Sequence, residues 1–82
     1  MNSTYDRLVN ILVSRFEVDR AELAPDVTFE DLDMDSLFLV ELLLVIQSEL
    51  GVEISEDTVS PRDTIGRAAE LIDDTVAAAT AS

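Results

Sequence analysis

The fifteen residues SLFLVELLLVIQSEL, from Ser36 to Leu50, constrain this chain more than any other feature. Asp35 precedes them as a helix cap, and Gly51 follows as a residue free to close a helix in the left-handed conformation. A helix of that length spans about 22 Å, and Glu41 and Gln47 interrupt its apolar run, so it cannot cross a bilayer. Leu37, Val40, Leu43, Leu44 and Leu50 can fill one stripe, while Phe38, Leu39, Leu42, Val45 and Ile46 widen the apolar surface almost all round. A helix this greasy is either central to its domain or meets another body.

The remaining elements are arranged around it. Tyr5, Leu8, Val9, Leu12, Val13 and Phe16 recur at three-and-four spacing, which predicts a helix over Thr4 to Glu17 with Ser3 and Asp6 as a capping box. A polar connection from Val18 to Asp35 follows, broken by Pro25, in which Leu23, Val27, Phe29 and Leu32 pin a long loop onto the core. After VEI, Ser55 caps a short helix through Val59, Pro61 breaks it, and Thr64 caps a last helix bearing Ile65, Ala68, Ala69, Ile72 and Val76. The expected fold is all-α: a small four-helix bundle of three longer helices and one short, with a long loop between the first two. At 82 residues the chain is one domain, 1–82, whose alanine-rich end frays over 77–82.

Composition removes most catalytic chemistries. There is no cysteine and no histidine, hence no disulfide, no thiolate or imidazole metal ligand and no imidazole base; catalysis would rest on carboxylates alone, in a domain too small for a deep cleft. The net charge is -13, all five bases are arginines, and eleven acids but no base lie between Arg20 and Arg62. Such a surface repels nucleic acid and anionic lipid and attracts basic protein patches. The N-terminus lacks the apolar core of a signal peptide, so the expectation is a cytoplasmic monomer that binds neither nucleic acid nor membrane.

One serine stands out. Ser36 falls in the first turn of the greasy helix, where backbone amides and the helix dipole favour an attached anion such as phosphate. Spacing alone favours the simpler reading of a capping serine worth about 1 kcal/mol. Asp31, Asp33 and Asp35 match the first three ligands of a calcium loop, but Ser36 and Leu42 stand where that loop needs glycine and a bidentate glutamate, so no metal site is expected. A nucleophilic serine needs a base, and the chain has neither histidine nor lysine. The hydroxyl is therefore expected to be modified by another enzyme.

DLDMDSL, VELLLVIQSELGVEI and DTIGRAAELI together resemble an acyl carrier protein, over nearly the whole chain. The resemblance implies that Ser36 carries a 4'-phosphopantetheine arm taken from coenzyme A by a phosphopantetheinyl transferase that needs magnesium, with Asp35 and Leu37 flanking the site and Asp35 contacting the metal and that enzyme. The arm would bring its own thiol and hold acyl groups as thioesters. Ketosynthase, acyltransferase, ketoreductase or similar enzymes with basic patches would dock on Phe38, Leu39, Val40, Glu41 and Leu44, with Glu49, Glu53, Glu56 and Asp57 as further contacts. An acyl pocket would lie among Phe29, Leu42, Ile46, Ile54, Ile65 and Ala68, close-packed until a chain is loaded. Met1 and the short chain fit a discrete carrier working with separate fatty-acid or polyketide enzymes. A small acidic helical adaptor, binding a protein through the second helix without a cofactor, is the alternative.

Overall fold

The computed structural model describes residues 3–80. Three α-helices carry the fold: α1 (Ser3–Arg15), α2 (Ser36–Leu50) and α3 (Ile65–Thr80). None of them is long and apolar enough to cross a membrane. α1 starts at Ser3, one residue before the expected point, and the side chain that would form the capping box there lies outside the described residues. Its end comes early: Glu17 turns into the left-handed region at φ 56°, and the Val18 N–H donates to the Leu12 carbonyl at 3.0 Å. α3 is helical through Thr80, past the point where fraying is expected, and residues 81–82 lie outside the described set.

The expected short fourth helix is a correction. Residues 55–59 make only an isolated turn, closed by Thr58 N–H to the Ser55 carbonyl at 3.1 Å. The Ser55 hydroxyl, expected to cap a helix, donates instead to the Asp57 carboxylate, the kind of local side-chain bond by which serine competes with helical structure. That bond holds the Asp57 pKa below its ordinary value, and the Asp57 backbone N–H adds to the effect.

Among the described residues sixteen buried apolar side chains form the core, from Leu8, Val9, Ile11 and Leu12 of α1 through Leu39, Leu42, Leu43 and Ile46 of α2 to Ile65, Ala68, Ala69 and Ile72 of α3. The buried stripe of α2 therefore differs from the expected one. Leu37 and Leu44 are 68 % and 59 % exposed, and Leu39, Leu42 and Ile46 take their place. With apolar residues all round, periodicity alone could not choose which side of α2 turns inward.

The long loop between α1 and α2 is pinned as expected, with Phe29 fully buried and Leu23, Val27 and Leu32 packed against the core. It contains two short 3-10 turns, Arg20–Glu22 and Glu30–Leu32. A backbone seam also ties it to the entry of α3: Ile65 N–H donates to the Val27 carbonyl at 2.8 Å, Gly66 N–H to Pro25 at 3.0 Å, Phe29 N–H to Asp63 at 3.3 Å and Glu30 N–H to Pro61 at 2.9 Å. A single antiparallel bridge, Thr28 with Thr64, lies within this seam. The loop's polar backbone is thereby satisfied although Phe29 drags it inward. Thr64 caps α3 as expected, its hydroxyl accepting the Arg67 N–H at 3.0 Å.

Candidate functional site

The start of α2 is locally over-determined. The Asp35 carboxylate accepts the Phe38 N–H at 3.0 Å, the Asp35 carbonyl accepts the Leu39 N–H at 3.2 Å, and the Gly51 N–H closes the far end on Gln47 at 2.8 Å with φ 65°. These local signals are why both ends of α2 fall where its capping residues lie. Since Asp35 is the cap, Ser36 is not needed as one; it is the first helical residue and is exposed.

Two open depressions meet at Ser36. The larger, of ≈ 560 Å³, runs between α2 and the segment before α3, and has Leu37, Leu39, Val40, Val59 and Pro61 along it with Glu56 and Asp57 at its rim. The other, of ≈ 440 Å³, is acidic, bounded by Glu30, Asp33, Met34, Asp35 and Pro61. The Ser36 hydroxyl thus has open space on both sides. A helix's first turn offers an anion positive dipole and backbone amides, but Asp35 already uses the Phe38 amide and sets a negative charge alongside. Carboxylates border both depressions, Glu30, Asp33 and Asp35 on one side and Glu56 and Asp57 on the other, while Leu37, Val40 and Val59 give the larger one an apolar lining.

Of the expected partner-facing residues, Leu37, Glu41 and Leu44 form one exposed line on α2 leading away from Ser36, with Val40 partly exposed beside it. Glu53, Glu56 and Asp57 are exposed as well. Leu39 is a correction: at 1 % exposure it is core and forms the floor of the groove, so it presents nothing to a partner. Glu49 is turned aside, paired with Arg15 of α1 at 3.2 Å. Phe38 is partly buried, its ring against that of Phe16 with centroids 4.8 Å apart and planes tilted by 54°. Val59 and Pro61 line the groove at Ser36, and Phe16 packs on Phe38 behind it; only a signal of long-range contact, absent from periodicity, could have found them.

The six expected pocket residues, Phe29, Leu42, Ile46, Ile54, Ile65 and Ala68, all lie in the one buried cluster. A recess of ≈ 10 Å³ adjoins Ile46 between Leu8, Ile11, Leu50 and Ile72, about the space of one water. The acids Asp31, Asp33 and Asp35 do not converge: Asp31 exchanges hydrogen bonds with Thr28, Asp35 caps α2, and among the described residues no three acids are grouped to hold a metal.

Residues 6–72 match the family described as a phosphopantetheine attachment site. Among similar proteins are two named acyl carrier protein. That of Lactobacillus johnsonii is 33 % identical over 69 residues, 83 % of this chain and 86 % of the relative. That of Picosynechococcus sp. is 35 % identical over 69 residues, 83 % of this chain and 85 % of the relative.

Proposed function

This chain belongs to the acyl carrier protein family, whose cofactor is 4'-phosphopantetheine, and from that premise we propose that Ser36 is the residue that carries the arm. The observation that supports this most is the position of Ser36: an exposed first-turn hydroxyl, relieved of capping by Asp35, where two open depressions meet. Attachment makes a phosphoester: the serine oxygen bonds to the phosphorus next to pantetheine in coenzyme A, the adenosine bisphosphate half leaves, and the serine proton goes to a base. The chain has no histidine, lysine or cysteine, and Asp35, the carboxylate next to Ser36 in the chain, is engaged with the Phe38 N–H, so this reading assigns that base to the transferase. The arm's terminal thiol then holds acyl groups as thioesters, and the protein delivers them without chemistry of its own.

Delivery needs docking, and the exposed Leu37, Glu41 and Leu44 suit an enzyme surface that combines a basic patch with an apolar notch. Glu56 and Asp57, across the groove, extend the acidic rim toward the same partner. Discrete fatty-acid or polyketide enzymes are the partners this reading favours. A thioester-bound chain gains by leaving water, roughly 0.8 kcal/mol per methylene, and the core between α2 and α3 around Phe29, Leu42, Ile46, Ile54, Ile65 and Ala68 is its shelter. Octanoyl loading is expected to raise the melting temperature above that of the arm-bearing protein; no rise would leave the chain in solvent.

The same exposed Leu37 and Leu44 would also serve an adaptor that binds a partner helix and carries no cofactor. Incubation with coenzyme A, magnesium and a broad-specificity phosphopantetheinyl transferase, followed by intact mass, separates the two. A gain of one arm supports the carrier; an unchanged mass supports the adaptor.

A further inference from the structure

α1 ends abruptly at Arg15, and the two residues at that end grip α2 near both of its own ends. Arg15 reaches Glu49 in the last turn at 3.2 Å, and Phe16 lays its ring on Phe38 in the first turn at 4.8 Å between centroids. The backbone holds Phe16 in this position, because the chain turns sharply behind it, with Glu17 left-handed and Val18 bonded back to Leu12 at 3.0 Å. Phe38 in turn joins two kinds of restraint. Its ring is anchored on the end of α1, and its N–H is the one that fixes the Asp35 carboxylate at 3.0 Å. Asp35, Ser36 and Leu37 are all exposed, so Phe38 is the first residue of α2 whose side chain packs on the body of the protein. The Asp35 cap fixes where the first turn begins, and the ring contact adds a hold on that turn from across the fold.

We propose that Phe16 is a positioning residue for the modification of Ser36: through the Phe38 ring it fixes the first turn of α2, and so the direction in which the Ser36 hydroxyl is presented to the transferase. This rests on the reading of Ser36 as the attachment point. Transfer requires the serine oxygen in line with the phosphorus it attacks, and small misplacement costs rate. The ring pair suits the role by its geometry, since tilted aromatic pairs fix orientation as well as burying area.

The test uses the full chain, coenzyme A, magnesium and a transferase, with kcat/KM for loading measured beside amide exchange at Phe38. Phe16→Ala is expected to lower kcat/KM about threefold to tenfold and to speed exchange at Phe38. Ile72→Val, a core change in α3, weakens the fold without touching this pair, and is expected to leave both within about twofold. Should Phe16→Ala fail to fold, Phe16→Leu keeps most of the apolar volume without the ring and is expected to load at least about twofold slower. Wild-type rates in the Phe16 variant, or an equal loss in Ile72→Val, would overturn the positioning role while leaving Ser36 in place. No loading of the wild type would instead overturn the reading of Ser36 and this inference with it.

Discussion

Gly66 is the point at which the seam between the long loop and α3 is most exposed to a single change. A methyl group there would lie 2.9 Å from the Pro25 carbonyl oxygen and 3.2 Å from the Pro25 Cβ, and the Gly66 N–H already donates to that same oxygen at 3.0 Å. Elsewhere on a helix, glycine to alanine gains up to about 1 kcal/mol of propensity. Here the partner is backbone and cannot swing aside, so Gly66→Ala must displace Pro25 or the start of α3. Either strains the Gly66 bond and its neighbour from Ile65 to Val27, each worth about 0.5–1.5 kcal/mol. At the central value of about 1 kcal/mol each, losing both costs about 2 kcal/mol, and subtracting up to about 1 kcal/mol of propensity leaves a net loss of about 1–2 kcal/mol, a fall in melting temperature of about 5–15 °C for a domain this size. Thermal and urea unfolding followed by circular dichroism would measure it, with amide exchange at Ile65 and Gly66 reporting the seam. Gly51→Ala is the contrast: no atom lies within 4 Å of its added carbon, but φ is 65°, so its cost of about 1 kcal/mol is conformational and leaves exchange in the seam untouched. A Gly66→Ala protein as stable as wild type would refute the close approach and with it the seam's rigidity.

Leu39→Ala is expected to cost about 2–5 kcal/mol and Leu37→Ala less than about 0.5 kcal/mol, because the first is core and the second is exposed; equal costs in urea titrations would mean the face of α2 is misassigned. Ser55→Ala is expected to raise the Asp57 pKa toward its ordinary value, readable by carboxyl-carbon NMR titration; because the pKa is depressed in the folded state, the stability it contributes is present above the unfolded value and lost as pH falls through the folded one, so the variant should differ from wild type near neutrality and converge with it in acid. An unmoved Asp57 would leave the hydroxyl without that role. Salt or magnesium is expected to raise the melting temperature, since eleven acids lie between Arg20 and Arg62 and, among the described residues, the only ion pairs are Arg15 with Glu49 and Arg67 with Glu70; indifference to both would contradict a self-repelling surface.

What could be read from the chain was what is decided locally. Asp35, Gly51 and Thr64 fix helix ends through bonds to residues three or four away, so those boundaries follow from short words in the sequence. The inward face of α2 depends on where α1 and α3 lie, and a helix apolar on every side carries no record of it; hence Leu39 and Leu37 exchange roles. The seam joins residues 25–30 to 61–66 through backbone groups, which carry no side-chain signature at all. Phe16 and Phe38 each belong to an ordinary apolar pattern, and only the fold brings the rings together. The helix expected at 55–59 is reduced to a turn, with the Ser55 hydroxyl donating to Asp57, a local choice that propensity does not decide.

The attachment of the arm to Ser36 is tested most directly by digesting the transferase-treated protein and locating the added mass on its peptides, in wild type and in Ser36→Ala. With Asp35 keeping the cap, the variant should retain wild-type helicity, so any loss of loading reports the hydroxyl itself. The expected result is one phosphopantetheine on the peptide that contains Ser36 in wild type and none anywhere in the folded variant. An arm on Ser55, Ser60 or another residue, or undiminished loading of Ser36→Ala, would contradict the assignment.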